Sequence, residues 1–297
     1  MLSKYYHLKQ NNVEASKVDM SIFMSALVAN LKEKYEDVKI ERTFPGGTLG
    51  IFFELYINGT KKFVKTHQCG DNYKENLLYE IEIITLLYRD IIEVERIDIE
   101  LEKIQMTFMV MDYLFPSKSP ISIENIKEYI QYFQQNLPPE KITAKYHFNQ
   151  IINAGKESLE TLFALGFFNK EFYLRCNESI QRIIYNKKSK MSVINHGDLS
   201  NVNIMYTSNF NPVIIDWEDS IYAFPEYDYL YWLTFFSQRK YYSSNLFNET
   251  NIEKIWGIDI MVLITIIKCK MSYQNNSYQN NHISFCQRIS EIYKILE

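Results

Sequence analysis

The sequence predicts an α+β protein with two lobes: an N-terminal lobe formed by an antiparallel sheet with one internal helix, and a larger helical C-terminal lobe. Two observations predict this. Residues 38–113 alternate short extended segments with a single helical stretch, whereas most segments from residue 123 onward have helical periodicity. The change falls near Pro116 and Ser117, which interrupt both patterns. We therefore expect a boundary that separates residues 1–113 from residues 114–297.

In the first lobe, apolar residues recur at three- and four-residue spacing between residues 17 and 35, which predicts an amphipathic lead helix. Three extended segments follow, at Val38–Thr43, Ile51–Ile57 and Lys62–Thr66. The dipeptide Asn58-Gly59 joins the last two, and both residues tolerate the positive φ of a type I′ turn. The sequence therefore predicts a hairpin, with Lys65 on its second strand.

The rest of the chain follows the same two periodicities. Residues 71–88 are expected to form the internal helix, and residues 96–101 and 105–113 a second hairpin that turns at Glu102-Lys103. The predicted helices of the second lobe are Ile123–Gln135, Ala144–Leu165, Glu171–Tyr185, Pro225–Ser237, Ile252–Met271 and His282–Leu296. A segment at residues 193–205 and a short strand at residues 212–216 interrupt them, and both contain polar residues suited to a functional site.

Composition excludes several classes of protein. The chain has 297 residues, of which 46% are hydrophobic and 23% charged, so it can bury a large core and is not a disordered chain. Its formal net charge of −4 argues against a binder of nucleic acid or of anionic membranes. The four cysteines show no CxxC pair, so neither a zinc site nor a redox motif is expected.

The sequence also bears on location. The first 17 residues lack the apolar core of a signal peptide, and the longest aliphatic run, residues 260–267, is too short to span a bilayer. A cytoplasmic location is therefore expected. The sequence does not predict an oligomeric state.

Three polar residues at defined spacing suggest phosphoryl-transfer chemistry. In the pattern His-x-Asp-x4-Asn, Asp198 is placed to accept a proton from an acceptor hydroxyl, and Asn203 to offer an oxygen to Mg²⁺. Asp216 ends an apolar strand and supplies a carboxylate suited to bridging Mg²⁺ and phosphate. Taken singly, each residue is better explained as a loop, capping or strand-end residue. The order and spacing of all three favour the catalytic interpretation.

The segment His196-Gly-Asp-Leu-Ser-Asn-Val-Asn203-Ile-Met, followed by Ile215-Asp-Trp-Glu218, resembles the aminoglycoside phosphotransferase and choline kinase family. The resemblance implies a protein-kinase-like fold, with ATP and Mg²⁺ as cofactors and a small-molecule hydroxyl as acceptor. It implies that Asp198 is the catalytic base and that Asn203 and Asp216 bind magnesium. Pro225-Glu-Tyr-Asp228 matches a later family element, so Asp228 is expected to brace the catalytic loop together with His196.

Glu218 follows Asp216 in an Asp-Trp-Glu pattern that is more typical of the choline kinase side of the family. It is expected near the metals or the substrate, or alternatively as a solvated turn residue.

The first lobe is expected to bind ATP. Gly46 and Gly47 lie between two predicted strands, where backbone can approach phosphates without side-chain obstruction. Lys65 resembles the family lysine that contacts the phosphates, and Glu80 is its expected helix partner, with Glu82 as the rival. Residues 109–114 resemble the hinge whose backbone reads adenine, which places Asp112 and Leu114 in the nucleotide site. The same residues are equally described as a buried strand.

The acceptor is less defined by the sequence. From residue 221 onward, basic and acidic residues balance, which favours choline, another amino alcohol or a sugar over a polycationic aminoglycoside. Because overall counts can hide a local acidic patch, an aminoglycoside acceptor stays open as the alternative. An aromatic cluster between Tyr222 and Phe236 could line a pocket for a cation, although its helical spacing favours a core role.

Two alternatives remain beside the small-molecule kinase. One is an inactive nucleotide-binding scaffold of the same fold, which the joint presence of Lys65, Asp198, Asn203 and Asp216 disfavours. The other is a protein kinase, which Gly197 disfavours because that class usually has arginine there.

Overall fold

The computed structural model describes residues 1–9, 20–44, 50–67, 71–101, 103–186, 192–237, 242, 246–247, 251–274 and 281–297. The helices are α1 (Leu2–Lys9), α2 (Met20–Lys32), α3 (Asp71–Tyr88), α4 (Ile123–Asn136), α5 (Phe148–Ala164), α6 (Lys170–Asn186), α7 (Tyr227–Phe235), α8 (Lys254–Gln274) and α9 (Asn281–Lys294). The strands are β1 (Val38–Phe44), β2 (Gly50–Ile57), β3 (Thr60–His67), β4 (Val94–Leu101), β5 (Ile104–Asp112), β6 (Phe115–Pro116), β7 (Tyr146–His147), β8 (Val193–Asn195), β9 (Ile204–Tyr206), β10 (Pro212–Ile214) and β11 (Ile221–Ala223).

The chain folds into two compact units, and neither is one continuous stretch. The strand-rich unit comprises Asn12–Ile121 and Asn201–Glu218. The helical unit comprises Met1–Asn11, Ser122–Ser200 and Asp219–Glu297. This division differs from the single cut after residue 113 that the sequence suggested, because tertiary contacts place α1 in the helical unit and the β9–β10 hairpin in the strand-rich unit.

The strand-rich unit is organised on an antiparallel sheet with the strand order β1-β2-β3-β5-β4. The turn between β2 and β3 has Asn58 and Gly59 at φ values of 48° and 78°, as a type I′ turn requires. The predicted hairpin is thus confirmed. The second hairpin, β4–β5, has Lys103 at a φ of 68° in its turn.

Alternation along the strands gives this sheet two different faces. On one face, α2 packs through Phe23, Leu27 and Leu31. The sheet residues of this core are Val38, Phe53, Leu55, Ile57, Val64, Ile97, Ile99, Met106, Phe108 and Val110. The intervening residues, among them Lys65 and Met109, therefore face the other side, where they line a cavity.

A smaller sheet of order β10-β9-β6 completes the strand-rich unit. The hairpin β9–β10 is anchored to α3 because the Ile214 amide donates to the hydroxyl oxygen of Tyr88 at 3.1 Å, in a buried contact. These contacts explain why residues 201–218 fold with the N-terminal sheet, although nearly eighty residues of the helical unit intervene in the sequence.

The helical unit is assembled around α8, which is buried at every position from Trp256 to Ile267. Helices α5, α6, α7 and α9 pack against it. Helix α1 also packs on α8, with Met1, Leu2 and Tyr5 almost fully buried. Its Tyr5 hydroxyl accepts a hydrogen bond from Lys270 Nζ at 3.0 Å. The residues just before Ser200 and after Asp219 are held in a third sheet, of order β7-β11-β8.

Most predicted helix boundaries differ from the observed ones by one to three residues, and the start of α5 differs by more. The sequence predicts a helix from Ala144, but α5 begins at Phe148, and Tyr146–His147 before it form β7. The reason is local, since the His147 amide donates to Gln150 Oε1 at 2.8 Å and so caps the helix there. Among the helices that the structure describes, none has the length and apolarity to cross a membrane.

Candidate active site

In the strand-rich unit, Lys65 on β3 is held by two carboxylates. Its Nζ lies 2.5 Å from Glu80 Oε2 and 2.7 Å from Asp216 Oδ1, and only 7% of the residue is exposed. Burial disfavours the ammonium form, yet the charges of Asp216 and Glu80 raise the pKa of Lys65 above its ordinary value. Glu82 is exposed, so Glu80 is the helix partner of Lys65.

Glu80 also fixes Asp216. Its Oε1 accepts a hydrogen bond from the Asp216 amide at 2.7 Å, while its Oε2 accepts one from Lys65. Asp216 has a φ of 69°, in the left-handed region that is uncommon for residues other than glycine. Such a conformation persists where surrounding contacts determine it, and functional sites are enriched in it. The buried Glu80 thus fixes the positions of both Lys65 and Asp216.

These residues line a cavity of about 480 Å³ in the strand-rich unit. Its apolar lining comes from Phe52, Phe63, Met109, Met111, Leu114, Met205 and Ile215. Its polar lining includes Lys65, Glu80, Asn203 and Asp216. An apolar pocket with a few polar groups of this kind suits a ligand that joins an aromatic base to a charged tail. Leu114 is among the lining residues, and its role in nucleotide binding stays a prediction.

The donor set of this cavity suits a hard cation. Asn203 and Asp216 offer amide and carboxylate oxygens, and Mg²⁺ commonly binds through one or two such protein ligands together with substrate phosphates. No group of three or more histidine, cysteine, aspartate or glutamate side chains in the described part of the chain is placed to hold a metal without such help. The residues present therefore fit magnesium that arrives with a nucleotide.

Glu218 lies in a short 3₁₀ turn beside this group. Burial and the charge of Asp216 raise the pKa of Glu218 to about 7, against the opposing effect of Lys65. Its carboxyl group therefore titrates near neutral pH, and a further cation nearby would favour the ionised form.

Two other predicted nucleotide contacts have different outcomes. Gly46 and Gly47 lie outside the described residues. The Asp112 side chain is engaged by Lys62 Nζ at 2.7 Å and by the Glu93 amide at 2.9 Å, and it is not part of the cavity lining. The proposal that backbone groups of residues 109–114 read adenine stays a prediction.

In the helical unit, the loop that carries Asp198 is braced by the fully buried Asp228. One carboxylate oxygen of Asp228 accepts from the His196 amide at 2.6 Å, and the other from the Gly197 amide at 2.9 Å. His196 Nδ1 accepts from the Asp198 amide at 3.3 Å. Burial raises the pKa of Asp228 to about 7, although both amide donors favour its charged form. The hydrogen bonds of His196 and Asp228 thus hold the backbone conformation of the loop.

Gly197 has no room for a side chain. Its φ is 83°, and a Cβ there would overlap the backbone oxygen of Asp219. Both the positive φ and the lack of space for a Cβ therefore require glycine at this position.

Asp198 itself is partly accessible, with 29% of its side chain exposed. Its Oδ1 accepts hydrogen bonds from the Tyr231 hydroxyl and from Lys268 Nζ, the latter at 3.1 Å. The Met1 amino nitrogen lies 3.5 Å from Oδ2. Burial opposes ionisation, but Lys268, the Met1 amino group and Tyr231 together hold the pKa of Asp198 well below its usual range. Asp198 is therefore a carboxylate.

Sequence reasoning missed Lys268, and it assigned Tyr231 only to a cluster of mainly structural aromatic residues. A signal for Lys268 does exist in the sequence, because Lys268 and Lys270 interrupt the apolar run of α8. Cations within a buried helix require partners. Lys270 has Glu157 at 2.9 Å, and Lys268 has Asp198.

Comparison with known proteins agrees with this fold. A model of the phosphotransferase enzyme family matches residues 156–242. Among solved structures, a thermostable mutant of aminoglycoside phosphotransferase APH(4)-Ia, in a ternary complex with ADP and hygromycin B, is similar with a TM-score of 0.59 and 13% identity. The alignment covers 91% of this chain and 98% of that one. No curated protein sequence matches the chain.

Two further structures show the same similarity. Spectinomycin phosphotransferase APH(9)-Ia, in complex with ADP and spectinomycin, has a TM-score of 0.56 and 14% identity, with 92% of this chain and 94% of that chain covered. A putative aminoglycoside phosphotransferase from Ralstonia eutropha has a TM-score of 0.59 and 14% identity, with 92% and 96% covered. The chain thus has the protein-kinase-like fold of the aminoglycoside phosphotransferases, and the resemblance seen in its motifs is confirmed.

Proposed function

We propose that the protein is a small-molecule kinase, which transfers the γ-phosphoryl group of ATP to a hydroxyl group. The observation that carries the proposal is the cavity of the strand-rich unit, in which Lys65, Glu80, Asn203 and Asp216 come together from separate parts of the sequence. A lysine locked by a buried glutamate, beside hard oxygen donors, is the arrangement that phosphoryl transfer from ATP requires.

In this proposal the strand-rich unit binds the nucleotide. The apolar wall that includes Met109, Met111 and Leu114 accommodates the base, and Lys65 contacts the phosphates. Two of the structural neighbours hold ADP, which supports a nucleotide as ligand. Asn203 and Asp216 would hold Mg²⁺, which when bound neutralises phosphate charge. Binding of Mg-ATP would also give Asp216 a new cationic partner in addition to Lys65.

Asp198 is proposed to accept the proton of the attacking hydroxyl. As an ionised and partly accessible carboxylate, it is able to orient the hydroxyl and to receive its proton as the new O–P bond forms and the bond from phosphorus to the ADP oxygen breaks. His196 and Asp228 are positioning residues, which hold the loop without contacting the reactants. The acceptor is proposed to be a metabolic alcohol, a class that includes sugars and amino alcohols, in preference to an aminoglycoside.

The first test is to incubate the purified protein with Mg-ATP and a panel of sugars, polyols, amino alcohols and aminoglycosides. Phosphorylation of at least one compound, detected by mass spectrometry, is expected. The Asp198→Asn variant should lose roughly 10²- to 10⁴-fold in kcat with that compound, because the amide cannot accept the proton. Its Kd for Mg-ATP should be unchanged, since the cavity residues are intact.

Asp90→Asn is the matched control, because Asp90 is highly exposed, with 89% of its side chain accessible. It should retain full turnover. An Asp198→Asn enzyme that turns over at the wild-type rate would remove Asp198 as the base. A wild-type protein that binds Mg-ATP but phosphorylates nothing in the panel would instead favour the inactive scaffold.

A further inference from the structure

Two aromatic residues of α7, Tyr231 and Phe235, already face cations of the chain itself. Lys268 Nζ lies 5.2 Å from the centre of the Tyr231 ring and 5.9 Å from that of Phe235. The Arg288 guanidinium lies 5.3 Å from the Phe235 ring and donates to the backbone oxygen of Thr234. A substrate ammonium group at either ring would therefore have to compete with a cationic side chain of the protein.

The remaining aromatic residues of this cluster are mostly core. Tyr227, Tyr231 and Trp232 on α7 are buried, and so is Phe224 just before it. Phe224 packs edge-on to Trp256, with the ring centres 5.1 Å apart. A cage of accessible aromatic faces, as quaternary ammonium recognition uses, is therefore not formed by these residues.

The carboxylates of this region are also engaged. Asp198 accepts from Lys268 and Tyr231, and Asp228 accepts from two backbone amides. Asp219 contacts the amino group of Met1 and accepts from the Ser3 amide at 2.6 Å. A polycationic acceptor would have to compete with these partners, and it would bring its own charge close to the ammonium group of Lys268.

We propose that Lys268 is a specificity-determining residue, which makes the acceptor site select uncharged hydroxyl compounds of the sugar or polyol class and disfavour compounds with an ammonium group near the reacting hydroxyl. Its position 3.1 Å from the carboxylate proposed as the base places its charge where an acceptor must bind. With 24% of its side chain exposed, Lys268 can be approached by a ligand. This inference rests on the proposed kinase function.

Matched acceptors that differ in charge test the wild-type protein directly. Choline is compared with 3,3-dimethylbutan-1-ol, its uncharged isostere, and glucosamine with glucose. For whichever pair is phosphorylated, kcat/KM of the uncharged member should exceed that of the cation by roughly tenfold or more, the effect expected for like charges a few ångströms apart in a partly exposed site. An equal or higher kcat/KM for the cationic member overturns the inference.

Substitution of Lys268 separates a specificity role from a structural one. Lys268→Met keeps an apolar stem against Tyr231 and Phe235 but removes the charge, so it should lower the KM of the cationic acceptor and reduce the preference by roughly tenfold. Lys268→Arg should retain the preference. Lys254→Met, at the first residue of α8 and about 21 Å along the helix from Lys268, is the control and should also retain it.

Affinity for Mg-ATP is measured for every variant, together with the helical circular dichroism signal. If wild type binds Mg-ATP and phosphorylates uncharged acceptors, but the preference is the same in Lys268→Met, the inference fails while the kinase function stands. If no acceptor is phosphorylated, the proposed function fails and this inference falls with it. If Lys268→Met does not fold, Lys268→Gln and the wild-type acceptor pairs decide the matter by the same criteria.

Discussion

At the scale of single residues, the environment of Asp198 sets its chemistry. A lone buried carboxyl group would be protonated more readily than one in water, because burial disfavours charge. Here the ammonium group of Lys268 and the hydroxyl group of Tyr231 reverse that tendency. A carboxylate held in its ionised form can act as the proposed base without prior deprotonation, although its intrinsic basicity is lower.

The pH dependence of turnover follows from this. Because the pKa of Asp198 lies below its usual range, the carboxylate persists as the pH falls, and its protonation should not reduce kcat between about pH 8 and about pH 5. Lys268→Met removes a charge that favours the carboxylate, so the pKa of Asp198 should rise and the acidic limb of the profile should move to higher pH. Steady-state rates at saturating substrate measure both profiles.

Lys254→Met provides the comparison for this experiment and should give the wild-type profile. If Lys268→Met has the same acidic limb as wild type, Lys268 does not control the ionisation of Asp198.

At the scale of elements, the loop after β8 depends on close backbone approach. Gly197 adopts a left-handed conformation, and the Asp219 oxygen occupies the space that a side chain would need. The short sheet β7-β11-β8 holds both strands that lead to this contact. The geometry of Asp198 is therefore set by backbone packing as well as by Asp228.

Gly197→Ala should consequently destabilise the protein by at least about 2 kcal/mol and reduce kcat, because both the φ angle and the overlap with Asp219 must be relieved. Gly166→Ala is a matched control in the same unit, since Gly166 has a φ of 75° but nothing within 4 Å of the added Cβ. It should cost only about 1 kcal/mol. Urea unfolding measures both variants, and equal losses would contradict the packing argument.

The sequence anticipated those elements whose determinants are local. Asn58-Gly59 specified its turn, and the periodicity of residues 71–88 predicted α3 at its observed bounds. The choice between Glu80 and Glu82 could not be made from spacing, because it depends on how α3 rotates against β3. The contact of Lys268 with Asp198 joins positions 70 residues apart, and no local pattern encodes it. Lysine residues in an apolar helix indicate only that each has a partner, and do not indicate which residue that partner is.

At the scale of the whole molecule, each unit is assembled from separate segments of the chain. The cavity proposed to bind the nucleotide draws Lys65 and Glu80 from the first segment of the strand-rich unit, and Asn203 and Asp216 from the second. This discontinuity explains why a boundary read from changes in sequence character placed residues 201–218 with the helices.

Hydrogen exchange on the full chain can test this assembly. Saturating Mg-ATP should increase protection in β3, α3 and residues 201–218 together, because ligand binding stabilises the folded form of the unit that contains its site. Lys65→Met should weaken the effect at a given nucleotide concentration. Protection confined to residues 50–112, with none in 201–218, would show that the second segment takes no part in nucleotide binding.

The divided strand-rich unit also has a consequence during protein synthesis. Its sheet leaves the ribosome long before β9 and β10, and at typical elongation rates the interval is roughly 5 to 20 s. Throughout that time the Tyr88 hydroxyl lacks its Ile214 partner, and Lys65 lacks Asp216. The strand-rich unit of the nascent chain is therefore incomplete throughout this interval. A ribosome-associated chaperone would then have its largest effect on the yield of native protein.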